Sequence, residues 1–318
     1  MQNISLQGQL AFVFPGQGSQ TVAMLSDFSN NSIVQNTFKE ASDALGYDLW
    51  QLVAQGPAEQ LNQTNFTQPA LLTASVALWR VWQAESDIQP AILAGHSLGE
   101  YSALVCADVI SLTDGVKLVE KRGEYMQTCV PAGVGAMAAV IGLDDQAIID
   151  ACAQAQDNEI VAAVNFNSPG QVVIAGHKAA VERAGELCKT AGAKRVLPLP
   201  VSVPSHCALM KEAAIKLAAD LEKITFNTPV INVVNNVDVA VETSGEAIKM
   251  ALVKQLYSPV RWSETISQIG EKGITQMVEV GPGKVLQGLV KRINKSINCV
   301  SFNTEESLVK AKELTQIS

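Results

Sequence analysis

The fold is decided by a short apolar run and the turn that follows it, Ala91-Ile92-Leu93-Ala94-Gly95-His96-Ser97-Leu98-Gly99. The apolar run predicts a buried strand, the turn fits the pattern G-x-S-x-G, and the residues after it favour a helix. In such a nucleophile elbow, glycines permit a tight turn and close packing. We therefore predict that Ser97 is a nucleophile at the C-terminal edge of a sheet, with the Leu98 amide facing an oxyanion. The alternative is a Gly-Ser turn that only connects two elements.

Outward from this turn, predicted strands and helices alternate. Leu10–Phe14 reads as a buried strand, Thr67-Gln68-Pro69 predicts the start of a helix that runs to about Ala84, and Ser111 predicts an N-cap. After Pro204 the same alternation resumes as far as a last strand at 298–302. Alternation of this kind favours an α/β fold, with a parallel sheet covered on both faces.

The middle of the chain has a different order of elements. After a linker at 131–135, the pattern predicts strands at 136–141, 159–164, 171–175 and 194–199, and helices at 145–155 and 179–191. The order β-α-β-β-α-β is the ferredoxin-like one. We therefore predict an inserted ferredoxin-like domain at 131–203, within a large domain made of 1–130 and 204–318.

Composition limits the classes of function. The 318 residues carry a formal net charge of −8, which argues against a general nucleic-acid binder or a protein of anionic membranes. No run approaches 18 unbroken apolar residues, and Met1–Ser5 lacks the basic start of a signal peptide. The six scattered cysteines form no CxxC pair, as expected for free thiols in a reducing compartment. We expect a cytoplasmic protein.

A serine nucleophile needs a base, and the chain has three histidines. His96 adjoins Ser97, but consecutive side chains diverge at an elbow, so it is expected to shape the pocket. His177 starts a helix of the predicted insert, where a solvated role is expected. His206, in Val203-Pro204-Ser205-His206, lies where the chain re-enters the large domain, and clefts are common at such junctions. His206 is therefore predicted to be the base, against the alternative of a structural loop histidine.

Two further features carry candidate site residues. The loop Pro15-Gly16-Gln17-Gly18-Ser19-Gln20 lacks the third glycine of a dinucleotide fingerprint and the G-K-[ST] of a P-loop, but it can present amides and Gln17 to an oxyanion. Arg122 shares a helix face with the apolar residues Leu118 and Met126, so we expect its guanidinium to be removed from water. A guanidinium in such a place needs a carboxylate partner. That partner is either structural, with Glu100 or Glu124 as candidates, or a carboxylate of the substrate.

Taken together, these residues resemble the malonyl-CoA:acyl carrier protein transacylases over about residues 10–295. The matching positions are Phe14-Pro15-Gly16-Gln17-Gly18-Ser19-Gln20, Gly95-His96-Ser97-Leu98-Gly99-Glu100, Arg122, Asn165-Phe166-Asn167-Ser168-Pro169-Gly170-Gln171, Val203-Pro204-Ser205-His206, Gln255 and Glu279-Val280-Gly281-Pro282-Gly283. The resemblance implies an α/β-hydrolase-like large domain with a ferredoxin-like insert.

The resemblance also assigns roles. Ser97 is then the nucleophile and His206 its base, oriented by a carbonyl at Gln255 instead of an aspartate. Gln17 and the Leu98 amide form the oxyanion hole. Arg122 binds the free carboxylate of the malonyl group, and the acyl pocket is lined by Met126 and Asn165.

The implied reaction is ping-pong transfer of malonyl from malonyl-CoA to the phosphopantetheine thiol of acyl carrier protein in fatty acid biosynthesis, without metal or cofactor. We expect a monomer. An acidic carrier protein needs a local basic patch, for which Lys194 and Arg195, or Lys284, Lys291 and Arg292, are candidates. Ser205 is small enough that size alone does not exclude a methyl-branched substrate.

Two rival functions remain. A serine esterase or thioesterase of the α/β-hydrolase type is disfavoured because its histidine comes late, whereas more than 100 residues follow His206. A non-catalytic module that binds carrier protein is disfavoured by the joint presence of Ser97, His206, Gln17 and Arg122.

Overall fold

The structure, a computed structural model, describes residues 9–201 and 203–316, so the segment Met1–Ser5 lies outside the described residues. The strands are β1 Leu10–Phe14, β2 Ile92–Gly95, β3 Gly135–Ile141, β4 Val161–Ser168, β5 Gln171–His177, β6 Arg195–Pro198, β7 Asn232–Val234, β8 Gln276–Val280 and β9 Asn298–Phe302. The helices are α1 Ser32–Leu45, α2 Leu49–Gln55, α3 Ala58–Leu61, α4 Thr64–Glu85, α5 Leu98–Cys106, α6 Leu112–Cys129, α7 Asp145–Ala155, α8 Lys178–Thr190, α9 Lys211–Leu221, α10 Gly245–Tyr257, α11 Trp262–Glu271, α12 Val285–Ile293 and α13 Glu305–Gln316. None of these helices is both long and apolar enough to cross a bilayer.

A five-stranded parallel sheet, in the order β7-β2-β1-β8-β9, forms the centre of the fold. Successive residues of β1 face opposite sides of the sheet, as in any strand. Phe12 and Phe14 pack into one apolar core with the tryptophans of α4. Ala11 and Val13 pack into a second core with Trp262. The predicted parallel sheet with both faces covered is therefore confirmed.

A separate antiparallel sheet has the strand order β4-β5-β3-β6. Its elements follow one another as β-α-β-β-α-β, and α7 and α8 pack on it around an apolar core that includes Val140, Ile174 and Cys188. β4 also connects to the chain that precedes α11, because the amide of Val260 donates to Val164 and the amide of Phe166 donates to Val260. This connection brings residues 165–168 towards the parallel sheet.

The structure corrects two predicted boundaries. α4 begins at Thr64, three residues before the predicted start, and contains Pro69. Thr67, which we expected to be the N-cap of this helix, lies inside it, and its hydroxyl donates backwards to the carbonyls of Leu61 and Gln63. The strand predicted at 159–164 is β4 Val161–Ser168 in the structure, so it continues four residues further, and the chain reverses at Pro169-Gly170, where Gly170 has a φ of 70°.

The N-cap of α6 is the predicted one, since the side chain of Ser111 accepts from the amide of Asp114. The six cysteines are free thiols, as expected. Three of them, Cys106, Cys152 and Cys188, are buried on helices.

Candidate active site

The turn at Ser97 joins β2 to α5 at the C-terminal edge of the parallel sheet. Ser97 has a φ of 52° and a ψ of −106°, a conformation that costs a non-glycine residue of order 1–3 kcal/mol. A Cβ at Gly95 would lie 1.9 Å from the carbonyl of Gly99, and a Cβ at Gly99 would lie 2.0 Å from the carbonyl oxygen of Phe14. Glycine is needed at both positions because two backbones cross there.

The candidate base lies against the candidate nucleophile. Nε2 of His206 is 2.8 Å from Oγ of Ser97, and Nδ1 is 2.7 Å from the backbone carbonyl oxygen of Gln255. A carbonyl oxygen only accepts, so Nδ1 must carry the proton and donate it. Nε2 is then left with a lone pair that accepts the hydroxyl proton of Ser97.

His206 is held as a neutral imidazole. Burial, and after it the positive charge of Arg122, lowers the pKa of His206 to about 3, against the hydrogen bond to Gln255, which raises it. The residue has a φ of 64°, and its amide donates to the carbonyl of Leu256. Both members of the Ser97–His206 pair therefore have sparsely populated backbone conformations, which surrounding contacts must maintain.

Arg122 lies in the same pocket with only 1% of its surface exposed. Its Nη2 donates to Oγ of Ser97 at 3.1 Å and to Oε1 of Gln255 at 3.0 Å, and its Nη1 donates to Oε1 of Gln68 at 2.8 Å. The guanidinium also lies over the ring of Tyr101. No ion pair among residues 9–201 and 203–316 includes Arg122, and its Nε has no partner there.

Of the two carboxylates considered as partners of Arg122, Glu100 is the one that interacts electrostatically with the guanidinium, but its hydrogen bonds go to other groups. Its Oε2 accepts from Nε2 of Gln255 at 2.8 Å and from the amide of Asn236 at 2.9 Å. Burial raises the pKa of the Glu100 carboxyl to about 7, while these hydrogen bonds and the charge of Arg122 lower it. The pocket thus holds a buried cation whose direct partners are neutral, an arrangement that an anionic ligand would stabilise.

The candidate oxyanion donors adjoin the elbow. Leu98 is the first residue of α5, so its amide is one of the N–H groups that a helix leaves without an internal acceptor. The loop after β1 lies against the turn, since a Cβ at Gly16 would be 2.5 Å from the carbonyl oxygen of His96. Gln17 is exposed, and its amide nitrogen lies 3.4 Å from Oγ1 of Thr64.

The other predicted site residues lie around this centre. Nε2 of His96 contacts Oδ1 of Asn167 at 2.8 Å, and burial lowers the pKa of this imidazole. Met126 is buried one turn after Arg122 and accepts a hydrogen bond from Gln68. Asn165 is half-buried on β4, and its Oδ1 has no partner among the described residues. His177 belongs to the antiparallel sheet, where its Nδ1 accepts from the amide of Ile160 at 2.9 Å.

Sequence reasoning missed two residues of the pocket. Gln68 accepts from Arg122, but in the sequence it was only part of a helix start. Asn236 binds the turn itself, through Ser97 and Gly95. Its only sequence signal is the polar pair Asn235-Asn236 directly after a predicted strand, at an edge where parallel strands gather functional side chains.

Comparison with known proteins identifies the family. A family model described as an acyl transferase domain matches residues 11–312. The chain is 63% identical over 307 residues to the malonyl CoA-acyl carrier protein transacylase of Escherichia coli (strain K12), covering 96% of this chain and 99% of that protein.

Two solved structures are similar. An acyl carrier protein S-malonyltransferase from Vibrio cholerae is 62% identical with a TM-score of 0.94, covering 95% of this chain and 99% of that one. A malonyl-transacylase in complex with its type II PKS acyl-carrier protein is 60% identical with a TM-score of 0.95, covering 96% and 99%. The chain therefore belongs to the acyl transferase family and, within it, to the malonyl CoA-acyl carrier protein transacylases.

Proposed function

We propose that this protein transfers the malonyl group of malonyl-CoA to the phosphopantetheine thiol of an acyl carrier protein, through an ester on Ser97. The observation that carries the proposal is the contact of Ser97 Oγ with both Nε2 of His206 and Nη2 of Arg122. It joins a nucleophile, its base and a cation for the substrate's carboxylate in one pocket. The names of the relatives agree with this reaction.

In the first half-reaction, Nε2 of His206 takes the hydroxyl proton of Ser97 as Oγ attacks the thioester carbonyl. The negative charge on the carbonyl oxygen is stabilised by the Leu98 amide and the side chain of Gln17. When the C–S bond breaks, the coenzyme A sulfur leaves with the proton from His206. Malonyl remains on Ser97 as an ester.

The second half-reaction reverses these proton transfers. His206 takes the proton of the phosphopantetheine thiol, whose sulfur attacks the ester carbonyl. As the ester C–O bond breaks, His206 returns the proton to Oγ of Ser97. The carbonyl of Gln255 keeps the Nδ1–H tautomer throughout, in place of the aspartate of a triad. Ser97, His206 and Arg122 supply the groups that these steps require, so we propose that no metal or organic cofactor takes part.

Arg122 supports selection of an acyl group that bears a carboxylate. Its partners are neutral oxygens of Gln68, Gln255 and Ser97, so the charge of the guanidinium is uncompensated by any direct ion pair within the described chain. Malonyl would supply the missing anion. Acetyl would leave the buried charge unpaired, at a cost of about 1–3 kcal/mol. We propose that Met126, Asn165 and His96 line the rest of the acyl pocket.

Intact-mass measurement after mixing with malonyl-CoA tests this function. Wild type should gain one malonyl group, and Ser97→Ala should gain none. Ser102→Ala is the matched control, because Ser102 is a buried serine of α5, the helix that follows Ser97, and its hydroxyl has no partner among the described residues. An adduct that persists in Ser97→Ala would overturn the assignment. Adding holo acyl carrier protein should then remove the adduct and load the carrier.

Esterase or thioesterase activity is the less favoured alternative, because the relatives are transacylases. The same experiment separates the two: a hydrolase releases free malonate without a carrier, whereas a transferase keeps the adduct until the carrier arrives. The mass experiment repeated with methylmalonyl-CoA tests whether Ser205, half-buried beside the base, admits a methyl branch.

Several wider features extend the proposal. The division into a hydrolase-like domain (1–130 and 204–318) and a ferredoxin-like insert (131–203) is supported by the two separate sheets. We propose a cytoplasmic monomer in fatty acid biosynthesis; the free thiols support a reducing compartment.

For docking of the carrier protein we propose the basic patch Lys284, Lys291 and Arg292 over Lys194 and Arg195. Arg292 reaches across to Gln171 and so borders both sheets.

A further inference from the structure

We propose that Asn236 is a positioning residue for the nucleophile, and that its side-chain amide replaces a peptide group in the sheet where β7 has already ended. This inference rests on the proposed role of Ser97. Asn236 is completely buried. Its Oδ1 accepts from the amide of Ser97 at 2.7 Å, and its Nδ2 donates to the carbonyl oxygen of Gly95 at 2.6 Å.

The pairing of the strands shows why these two atoms matter. β2 and β7 pair in parallel with Ala94 opposite Val234, so residue 236 would come opposite His96 if the ladder continued. The amide of His96 points the other way and donates to Phe14 of β1. The carbonyl of Gly95 and the amide of Ser97 therefore point towards β7.

A residue opposite His96 in a regular ladder would donate its own amide to Gly95 and accept the amide of Ser97 at its own carbonyl. Asn236 satisfies the same two groups with the N–H and C=O of its side chain. Its backbone is used elsewhere: its amide donates to Glu100 at 2.9 Å, and its carbonyl accepts from Arg261 at 3.1 Å. All four polar groups of the residue are thus engaged.

The consequence concerns the strained turn. Ser97 has a positive φ, and such a conformation persists only when its surroundings maintain it. Asn236 accepts the amide of Ser97, and Nε2 of Gln255 donates to the carbonyl of Ser97 at 3.1 Å. The carbonyl of Ser97 shares a peptide plane with the amide of Leu98. Two side-chain amides therefore set both the direction of Oγ and that of the candidate oxyanion donor.

Single-turnover acylation of Ser97 by malonyl-CoA, followed by intact mass, tests the proposal. Asn236→Ala should acylate roughly tenfold to a hundredfold more slowly than wild type, because small misplacements of a reacting group cost that much. The malonyl-CoA concentration that gives half of the maximal acylation rate should stay unchanged, since Arg122 keeps its partners. Wild type that is never acylated would contradict the proposed function instead.

Asn235→Ala is the matched control. Asn235 is a buried neighbour in the same loop, but its Oδ1 accepts from the amide of Asp238 and does not bind the turn at Ser97. Asn235→Ala should lower thermal stability and leave the acylation rate of the folded protein unchanged. Wild-type rates in Asn236→Ala, or equal slowing in both variants, would overturn the proposal.

Asn236→Asp keeps the shape of the side chain, so this variant tests the positioning role if Asn236→Ala does not fold. A protonated carboxyl donates to Gly95 and accepts from Ser97, whereas a carboxylate turns a second acceptor towards Gly95. The charged groups around this position are Glu100, Asp238 and Arg261. The ratio of variant to wild-type acylation rates should fall as pH rises from about 5 to about 8. A ratio that does not change with pH would contradict the peptide-like role.

Discussion

Nη2 of Arg122 lies 3.1 Å from Oγ of Ser97, and the same nitrogen lies 3.0 Å from Oε1 of Gln255. The buried cation and the candidate nucleophile therefore share one pocket. Any acyl group on Ser97 must extend beside the guanidinium. In the proposed mechanism, the cation that selects the charge of the acyl group therefore contacts the atom that forms the ester bond.

Replacing Arg122 should remove the selection for a carboxylate. In Arg122→Ala, the ratio of acylation rates with malonyl-CoA and acetyl-CoA should fall by about tenfold to a hundredfold, because a pairing worth about 1–3 kcal/mol is lost. Lys121→Ala is the control, since Lys121 pairs with Asp220 at 3.1 Å on the outer side of the same helix. Competition between the two donors, read by intact mass, measures the ratio. An unchanged ratio in Arg122→Ala would exclude the assigned role.

Removing the charge of Arg122 should also make His206 easier to protonate. Arg122 contributes to holding the pKa of His206 at about 3, well below 6.5, so a neutral residue at 122 should raise that pKa. Wild type should keep its rate of acylation by acetyl-CoA as pH falls from 6.5, whereas Arg122→Met should lose rate at a higher pH. A rate profile against pH with acetyl-CoA measures this. An acid limb that does not move would show that the charge of Arg122 has no effect on the base.

The backbone carbonyl and the side chain of Gln255 should have different functions, which one substitution can distinguish. Gln255→Ala retains the carbonyl that accepts from Nδ1 of His206 but loses the contacts with Arg122, Glu100 and the Ser97 carbonyl. We expect acylation by malonyl-CoA to slow by roughly tenfold, with the acid limb still at low pH. Steady-state and pH-rate measurements decide, with exposed Lys254→Ala as the neighbouring control. A Gln255→Ala protein with wild-type rates would mean that the carbonyl alone suffices.

Glu279 should make stability depend on pH. Its buried carboxylate accepts from the amides of Leu286 and Gln287 at the start of α12, yet burial raises its pKa from 4.5 to about 7. A pKa that is higher in the folded state gives a stabilisation that is complete below 4.5 and is lost as pH rises through 7. The shift corresponds to roughly 3 kcal/mol.

Glu279→Gln removes this titration, so its stability should fall less than that of wild type between pH 4.5 and about 7.5. Thermal melting of both proteins across this range measures the difference. Glu100 has its pKa raised to the same region but titrates in both proteins, so the comparison isolates Glu279. Parallel curves would contradict the prediction.

Much of the fold follows from local patterns. The apolar run before Gly95 and the apolar run of β1 predict two buried strands of a parallel sheet. Both strands are found, and they lie in one parallel sheet. The start of α4 was predicted incorrectly because a threonine followed by a proline has the local pattern of a cap, whereas in the fold Thr67 donates to carbonyls of the preceding turn. The helices α1, α2, α3 and α13 were not predicted, although Asn31 and Asp48 are N-caps of a kind that sequence can reveal.

The sequence by itself determined the strand–turn–helix that presents Ser97 and, by elimination among three histidines, the choice of His206. Both are local or compositional properties, so one chain suffices to read them. Only the tertiary structure decided what surrounds Arg122 and what holds the turn. Gln68 and Gln255 meet Arg122 across 54 and 133 residues, and Asn236 meets Ser97 across 139. Amide groups carry no charge or apolar periodicity that would reveal such partners. Only the packing of the helices α4, α6 and α10 brings Gln68 and Gln255 to Arg122, and only the pairing of β2 with β7 brings Asn236 to Ser97.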